Sequence, residues 1–554
     1  MGRHEETWGA GRTVHAAGAA RRRRGAVLTL GAAALLLGLA WWLREPLHGL
    51  PLERDEGAYA TIAVRWLAGD ALYRDLFDHK PPLVYAVFAL AQRLPGGPIH
   101  QVRELATLYL LASGLAVLAL GWRLYGRVAA GAALALFLAY GSSLRFQGLI
   151  FNSEAVLVLP ATIGCLLATQ STRAWRATLL ALAGVCVGLA IAAKPVGALL
   201  LGPLALAALL SSPESARRSW RAGGSKSWAG SAVALAAALG GALLPLLGFA
   251  LVLHRQGALP AAYQALIVYN RLYAAESLAR GWDPTYLWRI WAPMLALALP
   301  ALAGLALALA RRQWRSPAYL VAALWGAALL ASALLSLRAY PHYCMAAVPL
   351  LSVWGGAGIA LLANAAPGGE INSLYDEDTK ARRFTRSSYP FFVPARPAGQ
   401  TTDWIRALAA LAALAGLLAI PVAEIWPLRR LTPYEQIGSL YGPEGYGYFG
   451  HAGEVASYVA RHVPRGEPIF VWAAEPEIYY LAGRRPATRF VYDYPVEQLP
   501  GGRDELLEAL RAAPPRLIVT YHDVRPMGFH PFMPDHGYEL RATIGGYDVY
   551  ERGD

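Results

Sequence analysis

Apolar residues in this chain come in long unbroken runs, and polar residues are confined to the gaps between them. After "GAVLTLGAAALLLGLAWWL", runs follow at about 102–121, 128–141, 154–170, 177–193, 196–211, 229–253, 286–310, 317–336, 343–363 and 404–422. A helix needs about 20 apolar residues to cross roughly 30 Å of hydrocarbon. The pattern therefore predicts eleven membrane-spanning helices. The first run follows Arg21 to Arg24 and so also has the charge-then-apolar order of a signal peptide. Its length and the interfacial pair Trp41 and Trp42 read as an uncleaved first helix.

Two shorter segments have a different pattern. In "DEGAYATIAVRWLAG", Ala58, Tyr59, Ile62, Ala63, Trp66 and Leu67 recur at helical spacing, which predicts an amphipathic helix lying at the membrane interface. "LVYAVFALAQRL" at 83–94 is too short to span and reads as a second interfacial helix. From about residue 424 the pattern changes again. "EPIFVWA" and "PRLIVTY" read as buried strands, "PEIYYLAG" and "RDELLEALRAA" as helices, and "YELRATIGGYDVYER" as a hairpin turning at Gly545-Gly546. The expected fold is mainly α: a polytopic helical membrane domain over 26–423, followed by an α/β domain over 424–554.

Composition supports this class. Hydrophobic residues make up 56% of the chain and charged residues 16%, outside the range of a soluble protein. The net charge of +13 does not imply nucleic acid, because the arginines fall in short clusters between apolar runs. Cys165, Cys186 and Cys344 have neither disulfide nor zinc spacing. No glycine-rich phosphate loop opens a helix of the C-terminal region, and no solenoid repeat is present.

Charge also orients the chain. If eleven helices alternate, the basic N-terminus (1–25), 122–127, 171–176, 216–227, 311–315 and a polar, flexible 364–403 loop share one side, which the positive-inside rule makes cytoplasmic. The opposite side then carries 44–101, 142–153, the Lys194-Pro195 turn, 254–285, 337–343 and the C-terminal domain. The expectation is a multi-pass protein of the cytoplasmic (inner) membrane with its C-terminal domain outside.

Candidate chemistry collects on that outer side. Asp55 stands at the start of the amphipathic helix, where it can serve as an N-cap or as a general base. Glu56 follows it, and Tyr59 lies one turn on. "DHKPP" places Asp78, His79 and Lys80 before two prolines; a lysine there suits a lipid phosphate, or simply snorkels. Arg145, Asn152 and Glu154 occupy the 142–154 loop, where Glu154 either caps the fourth spanning helix or faces a polar cavity. Lys194, Tyr269, Asn270, Arg271, Tyr340 and His342 complete the set. Lys194, Arg145 and Arg271 are the further cations that can neutralise a phosphate beside Lys80.

"RDEGAYATIAVRWLAGDALYRDLFDHKPPLVYAVFAL", "VRELATLYLLASGLAVLALGWRLYGR", "NSEAV", "YPHYCMAAVPLL" and "VWAAEPEIYYLAGRRPATRFVYDYP" together resemble the multispanning C-type (GT-C) glycosyltransferases. Within them the chain is similar to bacterial members of the group containing protein O-mannosyltransferases and the aminoarabinose transferase of lipid A. The resemblance implies an inverting glycosyltransferase that moves a sugar from a polyprenyl-phosphate-linked donor to a hydroxyl of a lipid, glycan or protein acceptor. It implies Asp55 and Glu154 as the catalytic acids and Lys80 as the cation at the donor phosphate. Glu56, Tyr59, His79, Asn152, Tyr269, Tyr340 and His342 are then expected around the substrates. Some members of the superfamily use a divalent metal and others need none; Asp55, Glu56, Asp78 and His79 are the candidate ligands here. A flippase or transporter for lipid-linked saccharides is the alternative, but it calls for polar or broken helices at mid-membrane depth. A membrane scaffold is a third reading, and it predicts no effect of replacing Asp55.

Overall fold

The computed structural model describes residues 3–553 apart from 171–174, 211–225, 281–284, 286–287, 289–291, 336–339, 364–399, 442–449 and 522–528. Most of the predicted 364–403 loop thus lies outside the described residues, and 400–403 open a helix.

The chain begins with α1 (Arg3–Arg44) and the two amphipathic helices α2 (Arg54–Leu67) and α3 (Leu83–Ala91). The bundle continues through α4 (Pro98–Tyr125), α5 (Arg127–Tyr140), α6 (Ser153–Thr169), α7 (Arg176–Ala193), α8 (Leu201–Leu210) and α9 (Lys226–Arg255). It closes with α10 (Leu259–Tyr263), α11 (Asn270–Arg280), α12 (Leu295–Ala310), α13 (Pro317–Leu334), α14 (Val348–Leu362) and α15 (Gln400–Ile425). Each predicted apolar run contains a helix. Among the described residues, however, only 7 are long and apolar enough to cross a membrane; α5, α6, 195–210 and α12 are shorter. Glycine explains one of these limits, since Gly126 and Gly141 bound α5. Most of α5 from Ala129 to Tyr140 is buried against neighbouring helices.

Close helix contact depends on small residues. A Cβ added at Gly184 of α7 would lie 2.0 Å from the Ala238 carbonyl oxygen of α9, and one at Gly241 would lie 2.0 Å from that of Ala181. Such backbone proximity is how membrane helices gain packing without a hydrophobic drive between them. Residues 259–280, within the stretch expected as a loop, are instead helical: α10 passes through a π-helical turn at Gln264–Tyr269 into α11. The segment has too few apolar residues to form a spanning run, which is why hydropathy alone misses it.

The C-terminal region follows through α16 (Pro433–Tyr441) and α17 (Ala452–His462). It then alternates β1 (Pro468–Trp472), α18 (Glu477–Ala482), β2 (Arg485–Pro486), α19 (Tyr494–Gln498), α20 (Gly502–Ala512) and β3 (Leu517–Tyr521). It ends in α21 (Phe529–Asp535), β4 (Tyr538–Ile544) and β5 (Tyr547–Arg552). The sheet order is β2-β1-β3-β5-β4, with β1 parallel to β2 and β3, and β5 antiparallel to β3 and β4. Gly545 (φ 56°) and Gly546 (φ 87°) turn the hairpin, both in the left-handed region that such two-residue turns require.

This region docks on α2. A Cβ at Gly57 would lie 2.5 Å from the Glu477 backbone nitrogen, so only glycine permits the approach. Thr61 Oγ1 donates to the Pro476 carbonyl at 3.0 Å.

One buried charge pair sets the geometry at this end of the bundle. Arg103, near the start of α4, donates to both oxygens of Glu56 on α2, at 2.5 and 2.7 Å. Its remaining hydrogens reach the Leu50 and Leu149 carbonyls at 3.0 and 2.9 Å, and that of Pro51. Glu56 also accepts from the Phe151 and Glu53 backbone N–H groups, at 2.6 and 3.0 Å. Both side chains are almost fully buried, so neither can fall back on water. Arg103→Met strands the Glu56 charge and is expected to cost about 3–5 kcal/mol. The check is a lowered thermal unfolding midpoint in detergent, partly restored by adding Glu56→Gln.

Candidate active site

The start of α2 decides what Asp55 can do. The N-cap is Glu53, not Asp55: Glu53 accepts from the Asp55 N–H at 2.9 Å, and Glu56 closes the capping box from the other side. Asp55 is thereby released from capping. Its Oδ2 accepts from Tyr59 at 3.0 Å and lies 3.7 Å from Lys80 Nζ, and the side chain is 40% exposed.

Lys80 is aimed by its neighbours. Pro81 and Pro82 follow it, and the Tyr73 hydroxyl donates to its carbonyl at 2.9 Å. Tyr73 has φ 67°, a left-handed conformation that a tyrosine holds only where its surroundings impose it. Lys80 Nζ lies 3.1 Å from His79 Nε2. An ammonium only donates, so His79 accepts at Nε2 and carries its proton on Nδ1, which lies 3.1 Å from Asp78 Oδ1. Burial lowers the His79 pKa and Lys80 adds to this, against the opposing pull of Asp78, so the ring is neutral near pH 7. Burial alone would raise Asp78, but the His79 hydrogen bond and charge, Lys80 and Tyr492 bring it below the ordinary carboxylate range. For Lys80, burial is likewise outweighed, here by Asp55, then Tyr273, Asp78 and Glu154, and its pKa is raised.

A second acid–base pair stands beside the first. Glu154, in the first turn of α6, does not cap its helix; it pairs with Lys194 at the end of α7 and accepts from Ser153 Oγ at 2.9 Å. His342 Nε2 lies 4.0 Å from Glu154, and its Nδ1 is 2.7 Å from Gln147 Oε1. Gln147 is another residue with left-handed φ, at 50°. Tyr343 lies under the Lys194 ammonium at 3.8 Å, and Tyr340 stacks on His342 at 5.5 Å between centroids.

The other predicted residues sort by position. Tyr269 is buried, with its ring centroid 5.2 Å from that of His79. Asn152 is buried at the α6 N-cap, and its Oδ1 has no hydrogen-bond partner among the described residues. Glu56 is taken up by Arg103. Arg145 pairs at 2.5 Å with Glu424, in the last turn of α15, and is not brought to Lys80. Arg271 is exposed on α11. Among the described residues, no group of three His, Cys, Asp or Glu side chains could hold a metal ion. Of the four candidate ligands, Glu56 faces Arg103, Asp78 accepts from Tyr85 and Tyr492, and the Lys80 ammonium sits between Asp55 and His79.

Sequence reasoning gave Asn270 no role of its own and missed Tyr492. Asn270 Nδ2 donates to the His79 carbonyl at 3.0 Å. Tyr492, from the C-terminal region, donates to Asp78 Oδ1 at 2.6 Å. The only signal for Tyr492 was its place in "FVYDYP", within the stretch that carries the family resemblance.

Residues 79–242 match the dolichyl-phosphate-mannose-protein mannosyltransferase family. Over nearly the whole chain, the fold is similar to those of two solved membrane-protein structures. ArnT from Cupriavidus metallidurans bound to undecaprenyl phosphate is 16% identical, with 96% of this chain and 99% of that one covered and a TM-score of 0.52. Its apo form gives the same values. The Archaeoglobus fulgidus oligosaccharyltransferase tethered to an acceptor peptide is 12% identical, covering 95% of this chain and 74% of that one, with a TM-score of 0.50. None of the curated proteins compared matches the chain.

Close to Asp55, the docking seam between α2 and α18 holds carboxyl groups in excess of cations. Glu475 pairs with Arg54 at 3.1 Å, while neither oxygen of the buried Glu477 has a hydrogen-bond partner among the described residues. Burial, with Asp493 adding and Arg54 opposing, pushes Glu475 up to about 7. Burial and then Glu475 push Glu477 well above the carboxylate range. A carboxyl with a raised pKa in the folded state binds more protons there than when unfolded, so stability falls as pH rises from about 4.5 through about 7. Hydrogen exchange over 477–482 is expected to be faster at pH 8 than at pH 5 by more than the intrinsic rates account for, and Glu477→Gln is expected to flatten that dependence.

Proposed function

We propose that the protein is an inverting glycosyltransferase that moves a sugar from a polyprenyl-phosphate-linked donor to a hydroxyl of a lipid, glycan or protein acceptor, at the outer face of the cytoplasmic membrane. The observation that carries this reading is Asp55, 40% exposed and 3.7 Å from a partly buried lysine that Asp78 and His79 hold in place. The fold supports it, because a structure of the same fold is described as bound to undecaprenyl phosphate and another as tethered to an acceptor peptide.

In the proposed reaction the acceptor hydroxyl gives its proton to Asp55 as its oxygen bonds to the anomeric carbon. The bond from that carbon to the phosphate oxygen breaks on the opposite face, and polyprenyl phosphate leaves with the electron pair. Lys80 and Lys194 stabilise the charge that grows on it. Glu154 holds Lys194 and, through His342, borders the acceptor side. The ionisable residues gather at one end of the helices rather than at their middles, which separates this reading from a transporter.

Sugar transfer from a polyprenyl phosphate sugar by purified protein tests the proposal. Asp55→Asn keeps the shape and is expected to lose roughly 100-fold to 10,000-fold in rate. Full activity in that variant would overturn the role of Asp55, and no transfer by the wild type across several donors would overturn the reaction.

A further inference from the structure

We propose that Tyr492 is a positioning residue for the donor-phosphate cation, so that docking of the C-terminal sheet region completes the site at the end of the helical bundle. The proposal rests on the assignment of Lys80 to the donor phosphate.

A chain of hydrogen bonds with a defined direction carries it. Tyr492 gives its proton to Asp78 Oδ1 at 2.6 Å, and Tyr85 gives its own to Asp78 Oδ2 at 2.8 Å. With its hydrogen committed, the Tyr492 oxygen can accept, and His79 Nδ1 lies 3.3 Å away. The Nδ1 proton of His79 is therefore held between Asp78 and Tyr492. That fixes the tautomer that leaves Nε2 open to one hydrogen of the Lys80 ammonium, at 3.1 Å. Lys80 is left with two hydrogens, one toward Asp55 at 3.7 Å and one for a substrate oxygen.

The backbone shows that this is a built contact rather than a chance approach of one hydroxyl. The Phe77 N–H donates to the Arg489 carbonyl at 2.7 Å, and residues 77 and 490 form a parallel β-bridge. The Phe77 and Phe490 rings meet at 5.8 Å, with the Arg489 guanidinium 5.1 Å from the first. Arg489 in turn reaches Gln264 on the π-helical turn at 3.2 Å and pairs with Glu505. The segment ahead of Lys80 is thus paired through the Phe77 backbone with Arg489 and Phe490, and Tyr492, two residues on, reaches the ion chain with its side chain.

A double-mutant cycle on the full-length protein in detergent, with undecaprenyl phosphate as the probe, tests this. Tyr492→Phe removes one hydroxyl and keeps the ring. It is expected to weaken binding roughly tenfold, the scale of a hydrogen bond to a charged group, with the unfolding midpoint unchanged. In a Lys80→Ala background, the same substitution is expected to change nothing further. Wild-type affinity in Tyr492→Phe, or an equal loss with and without Lys80, would overturn the positioning role while leaving the donor reading intact. Equal binding by wild type and Lys80→Ala would overturn the donor reading itself. Should Tyr492→Phe lower the unfolding midpoint, Asp78→Asn breaks the chain at its next link. The same non-additivity is expected of it, and additivity there counts against the proposal.

Discussion

The site depends on one buried ion pair that takes no part in the chemistry. Glu56 accepts four hydrogen bonds, two from Arg103 and one each from the Glu53 and Phe151 backbones. A buried carboxylate is tolerable only when it is so surrounded. The consequence is geometric. Asp55 precedes Glu56 on α2, and Glu154 follows Phe151 by three residues at the head of α6, so one pair fixes the roots of both acids. Arg44, buried beside it, ties Thr107 and Ser142 into the same frame, both at 3.1 Å. The loops that carry the site are therefore held by charge at this end of the bundle.

What the sequence made legible follows from how far each cause extends along the chain. Spanning helices satisfy their own backbone polar groups within one segment, so a run of apolar residues is enough to announce them. The buried strands Pro468–Trp472 and Leu517–Tyr521 were readable for a different reason: their backbones bond to neighbouring strands, but burial on both faces leaves a short, mostly apolar run. Asp55 and Glu56 were harder. Consecutive residues point about 100° apart on a helix, which sends one to the mouth of the site and the other into the core, but nothing local says which. Glu53, two residues earlier, decides it by taking the cap.

Contacts between distant segments left no local pattern. Asp78 and Tyr492 are 414 positions apart, and Ser143 meets Glu424 across 281. The pairing of Arg145 with Glu424 was hidden in this way, and a basic residue beside an acidic loop was naturally read as a phosphate ligand. Lys194 differed only in its surroundings. It closes α7 before a proline, and that turn sets it against Glu154 and the Tyr343 ring.

The spacing of charge in the site bears on the order of events in the proposed transfer. Lys80 lies between Asp55 on one side and the neutral ring of His79 on the other, so its strongest flexible attraction is to Asp55. When Asp55 accepts the acceptor's proton, that attraction is largely lost at the moment the departing phosphate gains charge. The ammonium then interacts more strongly with the phosphate without leaving its anchor on His79. A rigid salt bridge to Asp55 would resist this exchange, and a distance of 3.7 Å at a partly exposed carboxylate does not. The tight pairing is found instead at Glu154 and Lys194, so one lysine is held by its acid while the other can transfer its attraction from acid to phosphate.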